Sequence, residues 1–140
     1  MSPPLFHRIK LEDLMKTITT ELTPEQAVQR LIAAIDETGL RLVAHINGQA
    51  NAAKLGKVVP ADQILEVFRP DFAIRVWAAC KPAGHDIPLR IHVYEDGQQT
   101  KVACRMPTTA FEPFGSPELD AIGQELDALF ERILAAIPEA

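Results

Sequence analysis

Residues 87–106, IPLRIHVYEDGQQTKVACRM, constrain the fold more than any other part of the chain. Leu89, Ile91 and Val93 alternate with Arg90, His92 and Tyr94, the period-two pattern of a strand with one apolar and one polar face. Glu95-Asp96-Gly97 follows, and Gly and Asp tolerate the positive φ of a tight turn. Residues 100–106 then alternate again, with Val102, Cys104 and Met106 on one side and Lys101, Ala103 and Arg105 on the other. Strands joined by so short a turn pair antiparallel, so the chain must build a sheet whose apolar face needs a cover.

Two segments supply that cover. In TPEQAVQRLIAAIDETG, Thr23 is a capping residue, Pro24 takes the first helical position, Gln26 completes a capping box and Gly39 ends the helix. Its stripe is Ala27, Val28, Leu31, Ile32 and Ile35. In SPELDAIGQELDALFERILAAIP, Ser116 caps, Pro117 begins the helix, and apolar residues at 119, 122, 126, 129, 130, 133, 134 and 137 make one long stripe.

The other elements fill in between. Residues 13–22 alternate as a first strand, with Leu14, Ile18 and Leu22 on one side and Thr17 and Thr19 on the other. Residues 40–47 read as a second strand with Leu40, Leu42, Ala44 and Ile46 inward and Arg41, Val43, His45 and Asn47 outward. GQANAAKLGK is a short helix stopped by Gly56, and residues 62–68 are a third strand ended by Arg69-Pro70. Residues 73–80 combine strand-favouring Val and Trp with a Pro70-Asp71 start, and the reading taken is helix. The resulting expectation is an α+β two-layer domain: a largely antiparallel five-stranded sheet with long helices packed on one face. Residues 13–140 form that domain, and residues 1–12, with Pro3 and Pro4, read as an N-terminal extension free to move or drape over the core.

A chain of 140 residues, 47% hydrophobic and 24% charged, can bury a core without a disulfide or metal. No stretch approaches the ~20 apolar residues of a membrane span, and no signal-peptide pattern opens the chain, so the expected location is the cytoplasm. Cys80 and Cys104 then read as free, half-buried thiols. A net charge of −5 argues against nucleic acid as a partner.

The outward positions gathered along the strands are Thr17, Thr19, Arg41, Val43, His45, Arg90, His92, Tyr94, Lys101 and Arg105, a set with no acid in it. The acids gather on the helices instead, as in Glu25, Asp36, Glu118 and Asp120. An acidic protein with a cationic sheet face points to an anionic ligand, held by Arg41, His45, Arg90, His92, Tyr94 and Lys101. Aromatic ligands fit the same face or the groove beside Trp77. The competing readings are a solvated face, or a face for self-association to which Val43 and Tyr94 lend apolar area.

Chemical motifs are sparse. There is no Gly-x-Ser-x-Gly elbow, phosphate-binding loop, dinucleotide fingerprint or His-Glu-x-x-His, so no catalytic residue is assigned and the reading leans away from an enzyme. Cys80 with His85 or His92 is the one thiol or metal alternative, and it lacks the paired spacing of a zinc site. No metal ligand or cofactor is assigned; a haem held by one histidine would leave no signature in sequence.

The phrases AGHDIPLRIHVYEDG at 83–97 and GLRLVAHINGQANAAKLG at 39–56, with a proline just after the third strand, resemble the family called domain of unknown function 302. The resemblance spans residues 14–106, and DIPLRIHVYED is its most specific part. It implies a small α+β domain similar to the TATA-binding-protein-like sheet-and-helix arrangement, often dimeric, with no established activity. Asn47-Gly48 stands where many relatives have Asp-His, and Phe68-Arg69-Pro70-Asp71 where they have Gly-Asn-Pro-Lys. A non-catalytic ligand-binding homodimer is the functional expectation, with a purely structural homodimer as the alternative.

Overall fold

The computed structural model describes residues 10–140; residues 1–9, most of the expected N-terminal extension, lie outside the described part. A short helix α1 (Leu11–Leu14) leads into β1 (Lys16–Thr20), so the first strand is shorter than its sequence pattern suggests. There follow α2 (Pro24–Glu37), β2 (Arg41–Asn47), α3 (Gly48–Ala53), β3 (Asp62–Phe68) and α4 (Pro70–Ala79). A 3₁₀ segment, Lys81–Asp86, enters β4 (Leu89–Asp96), which turns at Gly97 into β5 (Gln99–Cys104). The chain closes with α5 (Pro107–Phe111), a 3₁₀ turn and α6 (Pro117–Leu134).

The local rules hold where side chains enforce them. The Thr23 hydroxyl accepts from Gln26 N at 3.1 Å while Gln26 Oε1 accepts from Thr23 N at 3.0 Å, closing the capping box of α2. Ser116 Oγ accepts from Leu119 N at 3.2 Å at the start of α6. Residues 70–79 are helical: Pro70 at the first helical position disposes the segment to turn, and Phe72 and Val76, four apart, both reach the core. α5 and the 3₁₀ turn after it have no counterpart among the elements expected from sequence.

All five strands are antiparallel, in the order β1-β5-β4-β3-β2. Their inward residues, among them Ile18, Leu65, Val67, Ile91, Val93, Val102 and Cys104, are buried in one cluster with Leu31 and Ile35 of α2, Phe72 and Val76 of α4, and Leu126, Phe130 and Ile133 of α6. Burying each such aliphatic side chain contributes about 1.5–3 kcal/mol, which is what fixes the helices to this face. Among the described residues, no helix packs on the middle of the other face. At the β1 edge, Ala140 N donates to Thr19 O at 2.9 Å, so the chain end pairs part of an otherwise open strand.

Candidate functional site

The strand register arranges the open face in rows. Thr19, Lys101, Tyr94 and Asp62 stand side by side across β1, β5, β4 and β3. Thr17, Ala103, His92, Ile64 and Ile46 make the next row. Arg90, Glu66 and Ala44 make a third, and Arg41 opposite Phe68 lies beyond them at the end of the sheet. Contacts knit the rows together. Lys101 Nζ donates to Thr19 Oγ1 at 2.7 Å. The His92 ring stacks on Tyr94 with centroids 4.5 Å apart, and its Nε2 lies 3.0 Å from Asp62 Oδ2.

Arg90, His92, Tyr94 and Lys101 therefore share the face on which the sequence placed them. His45 does not. The pairing of β2 with β3 shifts between Leu42 and Ala44, leaving Val43 as the extra residue of a β-bulge. Because strand side chains alternate, one extra residue turns every later side chain to the opposite face. His45 comes to stand opposite Leu65 and Asn47 opposite Gln63, on the helix-covered side, while Ala44 and Ile46 turn to the open face. There His45 Nε2 meets Gln63 Oε1 at 2.6 Å, and the Gln63 side chain, 3% exposed, gains the partner a buried amide requires.

The charge of the face also differs from expectation. Asp62 and Glu66 of β3 stand on it beside Tyr94 and Arg90 of β4, so the face is mixed rather than purely cationic. The alternation of residues 62–68 carries this information, since Gln63, Leu65 and Val67 point inward and Asp62, Ile64 and Glu66 must then point outward.

Where the 3₁₀ segment passes beside the sheet, a groove of about 410 Å³ opens. Its charged and titratable lining is Arg90, Arg105, His85, His92, Glu66 and Asp86, over a floor that includes Ile64 and Ala103 and a rim that includes Met15 and Ala110. Among the described residues no carboxylate lies within ion-pair distance of Arg90 or Arg105, although Glu66 is the cross-strand partner of Arg90. Arg41, Tyr94 and Lys101 do not line the groove. Arg105, His85, Glu66 and Asp86 are not among the ligand contacts expected from sequence. Arg105 was legible as an outward residue, whereas His85 and Asp86 reach the groove only through the path of the 3₁₀ segment.

A second, largely apolar cleft of about 330 Å³ lies beyond Ile87 and Pro88, which line both cavities. Val43, Phe68, Pro70, Ala73, Trp77 and Gly84 complete it together with Arg69. A Cβ at Gly84 would sit 3.0 Å from Trp77 Nε1, so a side chain there would crowd the indole. The Arg69 guanidinium is engaged elsewhere: its Nη2 donates to Asp71 Oδ2 at 3.0 Å, and it lies 4.8 Å from the centroid of the Phe72 ring. That hydrogen bond raises the pKa of Arg69 and lowers that of Asp71.

The thiol alternative gains little from the geometry. Burial, with a smaller contribution from Asp127, pushes the Cys104 thiol up to about 12, so it stays protonated and inert near neutral pH. Cys80 is half-buried at the end of α4 and does not line the groove that His85 and His92 share. Among the described residues no three His, Cys, Asp or Glu side chains converge as a metal ion would need. Among them, too, no helix is long and apolar enough to cross a membrane.

Fold and groove together define a two-layer α+β domain with one helix-covered and one open sheet face, and a mixed-charge groove at the margin of the open one. The chain belongs to the family described as "Domain of unknown function DUF302", whose profile matches residues 16–137. Its fold is similar to that of a solved structure described as "uncharacterized conserved protein DUF302 from Bacillus stearothermophilus", with a TM-score of 0.80 and 20% sequence identity over 89% of this chain and 98% of that one. No curated protein matches the chain.

Proposed function

We propose that the protein is a small-ligand-binding domain whose open-face groove holds an anionic group. One observation carries this reading: Arg90 and Arg105 both line the groove without an acidic partner among the described residues. Unpaired guanidiniums in a concave site favour a carboxylate or phosphate, which they can grip with two parallel hydrogen bonds. His85 adds a ring N–H that can orient the anion, whereas His92 Nε2 already faces Asp62, and Glu66 and Asp86 disfavour ligands carrying negative charge over their whole length. The test is calorimetric titration with inorganic phosphate and with acetate. Wild type should bind, and the variant R90A/R105A should bind at least about tenfold more weakly, the loss expected for charged hydrogen bonds. Equal binding by both proteins removes the groove as the site.

A second reading rests on a different observation. Ile46 is 43% exposed and stands beside Ile64 on the open face, with Val43 also exposed at the bulge. Such apolar area at an edge strand suits a two-fold homodimer. Sedimentation at micromolar concentration should then show a dimer that Ile46→Glu converts to monomer, and a wild-type monomer would dismiss it.

A further inference from the structure

We infer that the ligand is an amphipathic anion whose head occupies the groove and whose apolar body lies in the cleft beside Trp77; this rests on the groove being an anion site. Three observations point the same way. The two cavities share Ile87 and Pro88 in their walls, so they lie next to each other. Their chemistry is divided: the groove carries the uncommitted Arg90 and Arg105, whereas the cleft is walled by Val43, Phe68, Ala73 and Trp77. Arg69, the charged side chain that lines the cleft among the described residues, is already paired with Asp71 and so does not call for a second anion there.

Trp77, 44% exposed, lines the cleft, and the Lys81 ammonium lies over its ring, 5.3 Å from the centroid. An exposed indole beside apolar walls gains by burying its surface under an aliphatic or aromatic body. The head then meets guanidiniums and the body meets hydrocarbon, the match that a small polar anion achieves only in part.

Trp77 is also the only tryptophan in the chain, so it reports its own cleft. The experiment is a fluorescence titration with octanoate as the amphipathic probe, octanol as its uncharged counterpart and acetate as the isolated head. It is run on wild type, R90A/R105A and A73L, which fills the cleft, with circular dichroism confirming that each variant is folded. Octanoate should shift Trp77 emission saturably to shorter wavelength. R90A/R105A should weaken that response about tenfold or more. A73L should abolish the shift yet leave calorimetric acetate binding intact. If octanol acts at the same concentrations as octanoate, the head plays no part and the inference falls. If acetate binds but octanoate leaves Trp77 unmoved, the groove stands as an anion site and the inference alone falls. If neither acetate nor octanoate binds, both are overturned.

Discussion

His45 Nε2 lies 2.6 Å from Gln63 Oε1, on the helix-covered side of the sheet and away from the groove. The contact satisfies a buried amide, so removing the imidazole costs stability rather than binding. His45→Ala should lower unfolding free energy by about 0.5–1.5 kcal/mol, the usual net worth of one hydrogen bond, because His45 is itself exposed and water can reach Gln63 in its place. Phosphate affinity should stay at the wild-type value. Urea unfolding and calorimetry on one preparation decide it, and weakened binding with unchanged stability would return His45 to the ligand site.

That contact also marks how far the sequence could be read. The alternation of Leu89, Ile91 and Val93 with Arg90, His92 and Tyr94 is enforced by burial on one side, and it survives intact in β4. The capping side chains of Thr23 and Ser116 each accept from a backbone N–H three residues on, so their helices begin where the sequence says. The bulge at Val43 has no such local cause. LRLVAHIN alternates as well with the bulge as without it, and only pairing with β3 reveals which side His45 takes. The groove is harder still, since His85 and Asp86 come from a segment whose path depends on α4 and β4 together. Periodicity reports which side of a strand is wet, not which loop leans over it.

Electrostatics within the groove can be tested one charge at a time. Glu66 lines the groove opposite Arg90 and opposes any bound anion, so Glu66→Gln should tighten phosphate binding about two- to fivefold, a partly exposed charge being worth up to about 1 kcal/mol. Arg41 shares the face but lies outside the groove, and Arg41→Ala should leave affinity unchanged. A loss in R41A matching that in R90A would move the site toward the β2 end of the sheet.

Gly123 is buried where α6 meets α5, and a Cβ there would come within 3.2 Å of Thr108 Cα and Cγ2. Thr108 cannot easily yield, because Asp127 accepts from its N–H at 3.0 Å and from its hydroxyl at 2.6 Å. Crowding of this kind costs about 1–3 kcal/mol, whereas replacing a helical glycine gains about 1 kcal/mol in propensity. Gly123→Ala should therefore be destabilising by roughly 1 kcal/mol in chemical unfolding. In an Asp127→Ala background, where Thr108 is released, the same change should cost less. A stabilising G123A would mean that α5 shifts away freely.

Cys104 supplies a pH dependence with a definite sign. Its thiol titrates at about 12 in the folded chain against an ordinary value of 9.0, because burial disfavours the thiolate. Below about pH 9 both folded and unfolded chains hold the proton, and the stability is fully present. Between about 9 and 12 only the unfolded chain releases it, so each pH unit costs roughly 1.4 kcal/mol. Cys104→Ala should flatten the alkaline fall in stability by about that slope, measured as the difference between urea midpoints from pH 8 to pH 11. The same burial predicts selective labelling: at pH 8 a thiol-reactive disulfide should modify Cys80 in the native protein and reach Cys104 only after unfolding. Two equally fast thiols in the native chain would show that α6 and the sheet separate readily at that point. They would also remove the basis for the alkaline slope.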